Sequence, residues 1–263
     1  MATCSCNGVE LYYEVHGQGK PLLLIAGLAS DSQSWLTVLS GLSSRYQVII
    51  VDNRGVGRTA PQSIPISIPA MADDCLALIR YLGLGAVHVL GHSMGGFVAQ
   101  DLAIRHPQCV NRLILAATSS FCSQRNKALL QDWAEIRESG LALEPWFRYL
   151  LYWALSPHFF ENPATIDAAV REAVDYPYPQ SPAALRGQVR AIMEYDGTER
   201  LSGIKAKTLV LAAQDDLLFP PLVCAQLAQH IPGASFANIE GVAHAMSVEN
   251  PRAFMEKVFD FLI

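Results

Sequence analysis

The sequence predicts an α/β fold with a largely parallel sheet, and three observations predict it. Short β-branched runs alternate with helix-like segments along most of the chain. The runs are apolar almost throughout, as expected of strands covered by helices on both faces. No repeat and no low-complexity linker interrupts the alternation. Pro21–Gly27, Tyr46–Asp52, Ala86–Gly91, Arg112–Thr118 and Lys207–Ala213 read as buried strands, with Leu11–Val15 and Ser235–Ile239 as weaker ones. Between them, Ser34–Leu42, Ala70–Leu82, Met94–Arg105, Pro221–His230 and Pro251–Phe261 read as helices. Pro221 and Pro251 suit a first helical turn, where a missing N–H costs no hydrogen bond.

The alternation breaks between Ser119 and about Gly197. Four helical stretches fill that span, near Arg125–Ser139, Pro145–Leu155, Pro163–Val174 and Pro182–Tyr195, and three of them open at a proline. The second is rich in aromatics: Trp146, Phe147, Tyr149, Tyr152 and Trp153. This reads as a helical insertion between two strands, dividing the chain into a core of residues 1–118 and 198–263 and an inserted unit of residues 119–197.

Composition bounds the function. A chain of 263 residues with 51% hydrophobic and 16% charged residues can bury a sizeable core. A net charge of −5 with no Lys/Arg run speaks against a nucleic-acid partner. The longest apolar stretches, such as Val48–Val51, are far too short to span a bilayer. Met1–Tyr13 lacks the basic-then-apolar order of a secretory signal, so a cytoplasmic location is the expectation. The six cysteines (Cys4, Cys6, Cys75, Cys109, Cys122 and Cys224) then read as scattered reduced thiols, and no Cys/His pair has zinc-finger spacing. Nothing in the sequence specifies an oligomeric state.

The segment that carries chemistry is Gly91-His92-Ser93-Met94-Gly95, which follows a strand and precedes a helix. A sharp turn in that context projects a serine hydroxyl above the sheet, and the flanking glycines let strand and helix backbones approach. A serine nucleophile needs a base, and the base needs an orienting acid. His244, in Gly241-Val242-Ala243-His244 after the last strand, can swing over Ser93. His92 more readily lines a pocket, and His88 lies within a strand. His16, His106, His158 and His230 sit at turns or helix ends. The acid is sought at a strand end, where Asp216 is preferred and Asp215 held in reserve. The segment after Arg112–Thr118 has no carboxylate to offer. Two backbone N–H donors should stabilise an oxyanion: Met94, at a helix start, and Leu28, in the loop after Pro21–Gly27.

These residues resemble the α/β-hydrolase superfamily over nearly the whole chain. Besides the Ser93 turn, Asp52-Asn53-Arg54-Gly55-Val56-Gly57-Arg58-Thr59 is similar to that family's D-x-R-G-x-G-x-S loop, joined by Asp216–Pro220 and the His244 segment. The resemblance implies an eight-stranded, mostly parallel sheet, a helical cap inserted after the sixth strand, and no metal or organic cofactor. Its nearest likeness is to small cap-bearing esterases and lactonases, of the 3-oxoadipate enol-lactonase and pimeloyl-carrier methyl-esterase kinds. One departure stands out. Many members carry His-Gly where this chain has Ala26-Gly27, which removes a structural support of the loop bearing Leu28. Arg54 reads either as a clamp for a substrate carboxylate or as a structural loop residue.

The expected reaction is hydrolysis of a small-molecule carboxylic ester, lactone or thioester through the Ser93-His244-Asp216 triad. His92, Trp146, Tyr149 and Trp153 are candidates to line a pocket for an apolar acyl or aryl group, although the three aromatics at helical spacing equally read as glue between cap and core. A carbon–carbon bond hydrolase, a perhydrolase and a slow-turnover ligand sensor are the alternatives.

Overall fold

The computed structural model describes residues 2–263. Eight strands form one sheet: β1 (Ala2–Cys6), β2 (Val9–His16), β3 (Lys20–Ile25), β4 (Tyr46–Val51), β5 (Val87–His92), β6 (Val110–Ala116), β7 (Lys207–Ala213) and β8 (Ser235–Ile239). Their order is β1-β2-β4-β3-β5-β6-β7-β8. β2 pairs antiparallel with both β1 and β4, and every other pairing is parallel. The expected α/β-hydrolase fold, with its mostly parallel eight-stranded sheet flanked by helices, is the fold observed.

β1 is the strand the sequence reading lacked. Its residues, Ala-Thr-Cys-Ser-Cys, have no aliphatic run, and of them only Cys4 is buried. The available signal was Asn7-Gly8, a two-residue hairpin turn. Both residues take positive φ, 46° and 82°, which matches the twist of the strands it joins.

Alternation within the parallel strands splits the core in two. Leu23, Ile25, Ile49, Val51, Val89 and Leu115 point to one face. Leu22, Leu24, Val48, Ile50, Leu90 and Ile114 point to the other. Helices α1 (Leu36–Ser43) and α10 (Pro251–Leu262) cover the second face, through Val38, Leu42, Phe254 and Val258. Helices α2 (Ile68–Tyr81), α3 (Met94–Arg105) and α9 (Pro221–His230) cover the first. Each fully buried Leu or Ile contributes about 1.5–3 kcal/mol.

Between β6 and β7 lie α4 (Gln124–Glu138), α5 (Leu143–Ala154), α6 (Pro157–Phe160), α7 (Pro163–Val174) and α8 (Pro182–Glu194). α4 packs on α8, and α5 on α7. Ser123 and Ser181 cap α4 and α8 by accepting from Asn126 N and Ala184 N, 3.2 Å each. Leu130, Trp133, Trp146, Leu185 and Ile192 join the insertion to the first core cluster. Among the described residues no helix is long and apolar enough to cross a membrane, and all six cysteines are free.

Candidate active site

The chain leaves β3 for β4 on one side and returns to β5 on the other. That reversal opens a crevice at the strands' carboxyl ends. Ile25 pairs with Gly91, so the loops leaving β3 and β5 stand side by side.

Ser93 stands between β5 and α3 in a strained conformation, φ 55° and ψ −118°, which costs on the order of 1–3 kcal/mol in a non-glycine residue. Its surroundings hold it there. Its N–H donates to Ala116 O at 2.9 Å, and its carbonyl accepts from Gly96 N (2.8 Å) and Thr118 Oγ1 (2.9 Å). Side chains at the flanking glycines would collide with backbone: a Cβ on Gly91 would lie 2.2 Å from Gly95 O, and one on Gly95 2.0 Å from Ile25 O. The close approach lets α3 begin directly after the serine.

The segment after β7 carries Asp216, buried, beside His244 from the segment after β8. His244 Nδ1 lies 2.9 Å from Asp216 Oδ2, and Asp216 Oδ1 accepts from Leu218 N (2.7 Å) and Phe219 N (3.0 Å). Burial alone would raise this carboxyl. The charge and hydrogen bond of His244 and the two amides outweigh it, holding Asp216 below the usual carboxylate range. Asp215 is exposed. Phe219 stacks on the His244 ring at 5.8 Å.

His92 Nε2 lies 2.9 Å from His244 O, and the two rings are 4.8 Å apart. Burial, followed by the charge of His244, lowers His92 to about 4, so it is neutral near pH 7 with Nε2–H donating to the carbonyl. Glu249 is a residue the sequence reading missed. Its carboxylate accepts from Ala243 N (2.9 Å) and from Ser156 N (3.0 Å), tying the His244 loop to the insertion.

Ser93, His92 and His244 line one cavity of about 290 Å³, together with Leu28, Met94 and Trp146. The Met94 N–H opens α3 and has no intrahelical acceptor. Leu130, Leu150, Leu151 and Ile192 make much of the remaining wall apolar.

Two of the expected pocket residues do not line the cavity: Tyr149 and Trp153. The reason is phase along α5. Trp146, Phe147, Leu150, Leu151 and Ala154 form the stripe that faces the cavity, so Tyr149 and Trp153 flank it and pack against the core cluster instead. Trp153 also lies under the Arg125 guanidinium, 5.2 Å from its ring centre.

A second cavity of about 440 Å³ shares Ala29, Ser30, Trp146, Phe147 and Leu185 with the first. Arg54 reaches neither. Its Nε and a terminal nitrogen bind Asp74 at 2.6 Å each in a buried pair, which is the structural role. Among the described residues no three His, Cys, Asp or Glu side chains cluster as a metal site would require.

The family model for the alpha/beta hydrolase fold matches residues 20–251. A protein of Azorhizobium caulinodans, provisionally named carbamate hydrolase RutD, is 33% identical over 259 residues, covering 96% of this chain and 94% of its own. The enol-lactonase of Burkholderia xenovorans LB400 superposes with a TM-score of 0.89 at 25% identity, covering 99% of each chain. A thermophilic esterase from Thermogutta terrifontis superposes at 0.85 with 28% identity, covering 99% of this chain and 96% of its own. With this fold, the turn at Ser93 and a family match over most of its length, the chain belongs to the alpha/beta hydrolase family.

Proposed function

We propose that the chain is a serine hydrolase that cleaves a carboxylic ester, lactone or thioester through an acyl-enzyme, with residues 119–197 as its cap. The observation that carries this reading is the hydrogen bond that ties His244 Nδ1 to buried Asp216, while His244 itself lines the same cavity as the strained Ser93. With Nδ1–H donated to Asp216, the lone pair of His244 is on Nε2, the atom able to take a proton from Ser93 Oγ. Oγ then attacks the substrate carbonyl carbon, and the negative charge that develops on its oxygen is met by the Leu28 and Met94 amides. His244 returns its proton to the leaving oxygen or sulfur, and the acyl group stays on Ser93. Water, deprotonated by the same nitrogen, releases the acid and restores the serine.

The apolar wall built by Leu130, Trp146, Leu150 and Ile192 favours an acyl or aryl chain over a sugar or phosphate. A second reading is a carbamate substrate, favoured by the name of the Azorhizobium caulinodans relative. A carbamate presents a carbonyl to the same nucleophile.

The test is a panel of p-nitrophenyl esters of graded chain length, lactones, thioesters and a p-nitrophenyl carbamate, run on the wild type and Ser93→Ala. Multiple turnovers on medium-chain esters, abolished in Ser93→Ala, are expected. A Ser93→Ala variant that kept the wild-type rate would sink the reading. Turnover of the carbamate alone would select the second.

A further inference from the structure

The loop that bears Leu28 follows Ala26-Gly27, and the structure shows what supports it. The Ala29 N–H donates to Gln188 Oε1 at 3.2 Å, across 159 residues of sequence, from the insertion to the core. Ala29 holds φ at 56°, a conformation that costs a non-glycine residue energy and persists only when its surroundings enforce it. Gln188 is fully buried. It sits on the apolar stripe of α8 with Leu185, Val189 and Ile192, at helical spacing where an aliphatic side chain would serve packing. A buried carboxamide is costly unless its hydrogen bonds are satisfied, and here they are. Oε1 also accepts from Gln180 Nε2 at 3.0 Å, and Nε2 donates to Arg54 O at 3.1 Å.

We infer that Gln188 is a positioning residue that sets the oxyanion-stabilising loop from the cap, so that the Leu28 donor is in place only while α8 is seated. The Leu28–Ala29 peptide is held at both ends, with its N–H on Gln188 and its carbonyl accepting from Ser30 Oγ at 3.2 Å. Upstream, Ala26 O accepts from Asn53 Nδ2 at 3.1 Å. Of these supports, only Gln188 comes from the insertion. Lifting α8 therefore strips the Ala29 N–H of its acceptor and leaves a left-handed residue free to relax beside the Leu28 amide. The role rests on the acyl-enzyme reading above. It gives that reading a control point: the oxyanion is stabilised only when the cap is seated over the bound substrate.

The experiment compares wild type, Gln188→Leu, Gln188→Glu and Ser93→Ala on p-nitrophenyl butyrate, with active sites counted by burst titration and melting temperature recorded in parallel. Gln188→Leu keeps the apolar contacts and removes the acceptor. Its kcat per active site should fall about 10- to 100-fold with KM changed less than threefold, since an oxyanion donor acts on the transition state. Gln188→Glu keeps an oxygen for Ala29 and should hold kcat within about threefold of wild type, even if its melting temperature drops as far. If Gln188→Leu does not fold, Gln188→Asn gives the same reading, because its carboxamide is one methylene short of Ala29. A kcat for the Leu or Asn variant within twofold of wild type overturns the role, as does a Glu variant that falls as far as Leu. Ser93→Ala separates the two levels: undiminished activity there removes the acyl-enzyme reading itself, whereas its expected loss beside a normal Gln188→Leu removes only the role of Gln188.

Discussion

Two opposing pulls meet at Asp216. Burial favours its neutral form, while His244 and the Leu218 and Phe219 amides favour the carboxylate and win. Asp216→Asn keeps the shape but removes the charge that orients His244. It should lower kcat by ~10³–10⁴ with an intact fold by circular dichroism, and Asp215→Asn should stay within about twofold. The reverse pattern would make Asp215 the acid. His92 gives a pH prediction of opposite sense to a surface histidine. Its folded value is about 4 against an ordinary 6.5, so between those values the unfolded chain holds the extra proton. Stability is then fully present above pH 6.5 and falls as pH drops toward 4, by at most about 3 kcal/mol, less as far as water in the cavity reaches the ring. Asp216, depressed, adds a loss that begins only below the ordinary carboxylate value. Urea unfolding at pH 7 and 5 checks this: His92→Gln should lose markedly less stability between the two than wild type. Equal losses would mean that His92 is protonated in the folded protein.

At the scale of elements, the approach of α3 to the sheet depends on Gly95 having no side chain. A Cβ there meets Ile25 O at 2.0 Å and the Ile25 carbonyl carbon at 2.6 Å, both backbone atoms of β3 that have no rotamer to give. Gly95→Ala should cost about 3 kcal/mol or more in urea unfolding, while Gly85→Ala, with nothing within 4 Å, should stay within about 0.5 kcal/mol. A small loss at Gly95 would show that strand and helix can separate freely. Elements of this kind were legible because their signals are local. α3, α7, α9, β7 and β8 have the ends expected from apolar runs, prolines and turn residues. β1 was not legible by hydrophobicity, since an edge strand with one buried residue carries no periodic pattern, although Asn7-Gly8 marked its turn. Tyr149 and Trp153 share a helical period with the cavity-facing residues but lie off their stripe. Periodicity identifies a face; the partner decides which face is turned to the cavity.

For the molecule as a whole, what could not be read from sequence is the set of contacts that cross from the insertion to the core. The order Ser93, Asp216, His244 follows from strand ends along the chain. Gln188 on Ala29 and Glu249 between Ala243 and Ser156 join segments far apart in sequence, and neither belongs to a motif. The cavity at Ser93 has the same dual origin, with Ser93 and His244 on one wall and Leu130, Trp146 and Leu150 on the other. A ligand filling it touches both units, so it should stabilise them together. An arylboronic acid that forms a tetrahedral adduct with Ser93 binds only the folded protein. At 100 times its dissociation constant such a ligand adds about 2.7 kcal/mol. In a chain of this length that corresponds to about 5–10 °C in the melting temperature. Calorimetry should then show one transition moving as a unit, with no shift in Ser93→Ala. Two transitions, of which the boronate moved only one, would mean that the insertion unfolds independently of the core, and the cross-unit contacts would lose their hold on the site.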